Sequence, residues 1–105
     1  MSRTHLDLPM DKITAFCTRW RIAELAVFGS VLRDDFRPDS DIDVLVSFAK
    51  DAHWTLFDMV RMSEALEQIL GRKVDLVSRR GVEASRNPLR RRAILESAEV
   101  LYAAG

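Results

Sequence analysis

Cysteine is nearly absent. Cys17 is alone in 105 residues, so the chain can close no disulfide within itself and can build no cysteine-based zinc cage. Long hydrophobic runs are missing too: nothing approaches the roughly 20 apolar residues of a membrane-spanning helix. The opening MSRTHLDLPM lacks the apolar stretch of a secretory signal. A cytoplasmic protein with no membrane partner is the expectation. There is no excess of either charge, because 16 Lys and Arg balance 16 Asp and Glu. A general nucleic-acid coat protein usually has a strong basic excess, so direct nucleic-acid binding is not favoured.

What is present suffices for one core. The chain is 48% hydrophobic and 30% charged, has no repeat or low-complexity tract, and contains no linker that would divide it, so residues 1–105 are expected to form a single domain. Ile13, Phe16, Cys17 and Trp20 recur at spacings of three and four, which predicts a helix over residues 10–22. Leu25 to Phe28 form a short apolar run stopped by Gly29-Ser30, as in a buried strand that ends at a tight turn. Ser30 can cap a short helix over residues 31–36. Ile42, Val44, Val46 and Phe48 alternate with Asp41, Asp43, Leu45 and Ser47, predicting a strand with one wholly apolar face. A longer helix is expected over residues 55–70, with Gly71 as its stop, then a strand over residues 73–77. A polar loop leads to a helix over residues 88–97, with Pro88 as its first residue, and a last strand over residues 99–103. The alternation of helices and strands predicts an α/β domain of two or three layers.

Three features break the structural pattern around them. Asp41 and Asp43 flank Ile42 at the start of a strand, so both carboxylates project on one face while Ile42 turns to the core. Two carboxylates about 4 Å apart repel by roughly 4 kcal/mol at an effective dielectric near 20, a cost that a cation or a proton relieves. Oxygen-only ligands favour Mg²⁺ or Mn²⁺ over zinc. The plainer alternative is a solvent-facing pair beside a loop. Asp75 lies inside the apolar run Lys73-Val74-Asp75-Leu76-Val77, where a charge needs a partner or a metal; an edge strand with a wet face is its alternative. Gly29-Ser30 follows a buried strand, where glycine permits close approach of a ligand and free amides suit a phosphate. A strand-ending turn would use the same pair. No G-x-G-x-x-G and no G-x-x-x-x-G-K-[ST] sequence is present, which excludes Rossmann and P-loop readings.

Taken together, GSVLRDDFRPDSDID from Gly29 to Asp43, with Asp75 in a later strand, resembles the minimal nucleotidyltransferases of the DNA polymerase β-like superfamily. The resemblance covers the chain in element order and implies a mixed sheet of about four strands flanked by helices. It implies Asp41, Asp43 and Asp75 as catalytic residues and ligands of Mg²⁺ (or Mn²⁺), with Asp75 also the base. It implies Gly29, Ser30 and Arg33 on the triphosphate of a nucleoside triphosphate such as ATP. One position departs: the glycine that often follows the arginine in this family is Asp34 here, an added negative charge near the nucleotide. An exposed helix position is the ordinary alternative for Arg33.

No room remains for an acceptor-binding domain, so another protein is expected to complete that site. Stand-alone domains of this kind resemble antitoxins paired with HEPN-type ribonuclease toxins, which implies a protein adenylyltransferase moving AMP from ATP to a toxin tyrosine. A non-catalytic antitoxin that neutralises by binding alone, or transfer to a small molecule such as an aminoglycoside, are the alternatives. Charge is also segregated. Residues 34–43 hold five Asp against one Arg, and residues 79–92 hold six Arg against one Glu. A solvated helix face accounts for the latter run, with a partner's acidic surface, nucleotide phosphates or RNA as alternatives. Trp54 and Phe57 are expected in the core, with partner anchoring as the alternative, and neither His5 nor His53 is a favoured ligand.

Overall fold

The apolar stripe of the first helix packs as α1 (Met10–Arg19), with Ile13, Phe16 and Cys17 buried, in a computed structural model that describes residues 8–29 and 41–104. The helix stops earlier than its stripe suggests. The amides of Trp20 and Arg21 donate to the carbonyls of Phe16 and Thr18, and Arg21 adopts a positive φ of 53°, which turns the chain. Ile22 therefore belongs to β1 (Ile22–Phe28), three residues ahead of the predicted strand start. The predicted helix over residues 31–36 lies outside the described residues.

The chain continues as β2 (Ile42–Phe48), α2 (Leu56–Leu70), β3 (Val74–Ser78), α3 (Arg79–Glu83), α4 (Pro88–Ser97) and β4 (Glu99–Ala103). The sheet order is β3-β2-β1-β4. β1 is antiparallel to both β2 and β4, whereas β2 and β3 are parallel, joined by α2 as the crossover. This is the expected mixed four-stranded sheet. α3 is new, since a polar loop was expected there; Ser78 caps it by accepting from the Gly81 amide at 3.0 Å.

Period-two alternation divides the strands between two cores. Ile22, Leu25, Val27, Ile42, Val44 and Val46 pack with Phe16, Met62 and Leu66 from α1 and α2. On the other face Ala26, Phe28 and Leu45 meet Val82 of α3 and Ile94 of α4. Helices thus cover both faces, giving three layers.

α2 is fixed at both ends. Thr55 and Asp58 form a reciprocal capping box, and Gly71 ends the helix in the left-handed region at φ 69°. Trp54 joins the core edge: its Nε1 donates to the Trp20 carbonyl at 3.0 Å, and the two indoles meet edge to face with centroids 5.2 Å apart. Phe57 does not follow it inward; it is 82% exposed. Burial pushes the Cys17 thiol up to about 12, so Cys17 is packing and no nucleophile.

Met62 has no exposed surface, so Met62→Ala is expected to cost about 2–5 kcal/mol. Thr55→Ala, which removes one half of the capping box, should cost only about 1 kcal/mol. Urea denaturation of the two variants beside the wild-type chain checks the ranking.

Candidate active site

The hydrogen-bond register brings the candidate residues together. Phe28 pairs with Asp43 across the antiparallel β1–β2 ladder, and Asp43 pairs with Asp75 across the parallel β2–β3 ladder. Directly paired residues share a face, with strands about 4.8 Å apart. Phe28, Asp43 and Asp75 therefore form one row across three strands, on the face that carries the α3 and α4 core.

Two further contacts fix that row. The Ile42 amide donates to the Lys73 carbonyl at 2.9 Å, and the Val74 amide donates to Glu67 Oε2 at 3.0 Å. The second bond ties the first residue of β3 to α2, immediately before Asp75. Glu67 escapes sequence reasoning, because a glutamate near a helix end has no mark distinguishing this role from an exposed one.

Gly29 closes the other side. Its φ of 76° lies in the left-handed region, and a Cβ there would overlap Asp43 Oδ2 and lie 3.3 Å from Asp43 Cγ. The glycine leaves the space that the Asp43 carboxylate fills. Ser30 and Arg33, the other expected nucleotide contacts, lie outside the described residues, as does Asp34.

Asp41 sits one residue before β2 and is exposed, Ile42 is fully buried, and Asp43 is half-buried. The alternation expected of Asp-x-Asp is present. Of the two readings of Asp75, its surroundings match the edge strand with a wet face: β3 is the edge strand and Asp75 is exposed, so its charge has no burial cost to offset. Among the described residues no three His, Cys, Asp or Glu side chains close into a set that could hold a metal ion. The backbone aligns Asp43 with Asp75, while the exposed Asp41 and Asp75 side chains are not locked by packing. In donor chemistry the three carboxylates suit a hard divalent cation.

The basic segment is more than a solvated face. Arg79 reaches across the sheet to Glu24 of β1 at 3.6 Å, Arg91 Nη1 donates to the Glu83 carbonyl at 3.3 Å, and Arg92 pairs with Glu96 at 2.9 Å. The first ties α3 to the sheet and the second ties α4 to α3, whereas the third lies within α4. His53 is exposed, beyond the far end of β2 from Asp43.

A family model described as a nucleotidyltransferase domain matches residues 10–101. The chain belongs to that family. It is 32% identical over 94 residues to MJ1379 of Methanocaldococcus jannaschii, provisionally named a protein adenylyltransferase, with 90% of this chain and 84% of the relative covered. A solved structure provisionally described as a minimal nucleotidyltransferase is 38% identical, with a TM-score of 0.67 over 90% of this chain and 96% of that one. A complex of a tri-AMPylated Shewanella oneidensis HEPN toxin with an MNT antitoxin shares the fold, at 20% identity, a TM-score of 0.61, and coverage of 90% of this chain and 70% of the matched one. No helix among the described residues is long and apolar enough to cross a membrane.

Gly29 and Gly71 allow a controlled comparison, since both have positive φ but only Gly29 faces a side chain that an added Cβ would strike. Alanine at either site should cost about 1 kcal/mol in backbone strain. Gly29→Ala should in addition displace the Asp43 carboxylate. Denaturation curves, together with NMR of the Asp43 side-chain resonances in both variants, check this.

Proposed function

We propose that this chain is a Mg²⁺-dependent (or Mn²⁺-dependent) protein adenylyltransferase that acts as an antitoxin, transferring AMP from ATP to a tyrosine of a HEPN-type toxin. The observation that carries this is the register pairing of Asp43 with Asp75 beside the Gly29 turn, in a chain whose family match runs from residue 10 to residue 101. A relative named for protein adenylyl transfer and a fold neighbour crystallised with an AMPylated HEPN toxin favour a protein acceptor.

In this scheme Asp41, Asp43 and Asp75 hold the divalent cation, which when bound neutralises charge on the triphosphate and the departing pyrophosphate. Gly29 and Ser30 receive the triphosphate with backbone amides and the Ser30 hydroxyl, and Arg33 adds a cationic contact. Asp75 takes the proton from the tyrosine hydroxyl. The phenolic oxygen bonds to the α-phosphorus, the bond from that phosphorus to the bridging oxygen breaks, and pyrophosphate leaves. Exposure of Asp75 suits it to an acceptor delivered by a separate protein. The half-buried Asp43, seated against Gly29, is the ligand whose position the fold fixes most firmly.

Neutralisation by occlusion alone is the competing reading, favoured by Asp34 in the place of a family glycine. Labelled ATP, the divalent cation and the partner toxin discriminate the two. Label should appear on the toxin, and Asp43→Asn and Asp75→Asn should each slow its appearance by about 100-fold or more. An unlabelled toxin, neutralised equally by wild type and Asp43→Asn, would sink the enzymatic reading.

A further inference from the structure

A second feature begins where the carboxylate row ends. A cleft of about 480 Å³ lies between the start of α2, β3 and α4, floored by Leu56, Met59, Leu76, Val77, Val82 and Ile94 and flanked by Arg90 and Arg91. Leu76 and Val77 directly follow Asp75. Val77 lies two residues along the strand on the same face, about 6.6 Å from Asp75 between Cα atoms.

The apolar floor continues onto open surface. Leu56 is 84% exposed, Phe57 82% and Val60 55%, and Leu89, next to Arg90 on α4, is 80% exposed. On α2, Leu56, Val60 and Glu67 share one flank by helical spacing. Because Glu67 accepts from the Val74 amide, that flank looks onto the edge of β3. Exposed apolar residues contiguous with a cleft and rimmed by charge mark an interaction site.

The rim has one sign. The charged side chains that line the cleft are Arg90 and Arg91, and Arg90 has no carboxylate within salt-bridge distance among the described residues. We propose that this cleft docks an acidic amphipathic helix of a partner protein, with apolar side chains on the α2–β3 floor and carboxylates against the arginine rim. The function proposed above enters only in naming this partner as the carrier of the acceptor; a helix seated here would bring that acceptor alongside Asp75.

Other occupants fit less well. No aromatic ring lines the cleft to stack a base. A second copy fits less well: the exposed Leu56 of α2 is part of the cleft itself, and α4 has three Arg against one Glu.

Fluorescence anisotropy with three labelled probes tests the docking without ATP or metal. The probes are a Leu/Glu heptad peptide, its Leu/Lys counterpart and a single-stranded oligonucleotide. The Leu/Glu peptide should bind the full chain, more weakly as salt rises, and Arg90→Glu and Leu56→Asp should each weaken it by about tenfold. Both positions are exposed, and circular dichroism confirms that the variants fold. Equal binding by wild type and both variants, equal binding of the Leu/Lys peptide, binding of the oligonucleotide alone, or no peptide binding would each overturn the proposal. So would self-association that the variants abolish. Transfer of label from ATP is measured separately, so loss of either result leaves the other readable.

Discussion

Parallel pairing between β2 and β3 is the constraint on which the site depends. Side chains alternate with period two, so a slip of one residue in β3 would move Asp75 to the opposite face and leave Asp43 facing Val74 or Leu76 instead. The register is held against that slip from both sides. Val44 beside Leu76 belongs to the α1–α2 core, and Leu45 beside Val77 belongs to the α3–α4 core. Slipping would expose one row and bury a carboxylate among the other. The stop of α2 at Gly71 and the Glu67 contact to Val74 fix where β3 begins. Hydrophobic packing thus sets, through the ladder, which acidic residues become neighbours.

Those neighbours work against stability. Like charges directly opposite in a sheet are unfavourable, and Asp43 is half-buried against the Gly29 turn. The fold limits the penalty by position. The row lies where β2 and β3 start and β1 finishes, and Asp75 occupies an edge strand where water reaches it. A site that violates local pattern while the surrounding rows obey it is what functional strain looks like in a small domain.

Much of this was legible in the residues. The spacing of Ile13, Phe16 and Cys17 in α1, the glycine stop of α2, Pro88 at the start of α4 and the alternation through β2 all point to elements that are found. So does the flanking of buried Ile42 by two aspartates, because period two is a strong signal when one face is wholly apolar. Less legible were features set by geometry between elements. The end of α1 depends on Arg21 at positive φ, which an unbroken apolar stripe does not reveal. α3 has five residues, too few for periodicity, and depends on Ser78 as its cap. Phe57 is expected in the core with Trp54, yet its helix turns it outward. The run around Asp75 suits either a buried charge or a wet edge strand; the wet edge is what the sheet order makes it, and its pairing with Asp43 comes from register. Glu67 binds a backbone amide seven residues away across a turn, a contact without a sequence signature.

Zero net charge conceals the division that organises the surface. Five aspartates lie within residues 34–43 and six arginines within residues 79–92, and the sheet places Asp43 and α3–α4 on the same face. Arg79 is drawn to Glu24 of β1, which holds the start of α3 over the sheet, while Asp43 and Asp75 lie where β2 and β3 begin. Between Asp75 and the arginines that flank the cleft lies the apolar floor that begins at Leu76. Under the proposed function the carboxylate row takes a cation and a polyanion at one end of the sheet, and the apolar floor with its arginines takes another macromolecule beside it.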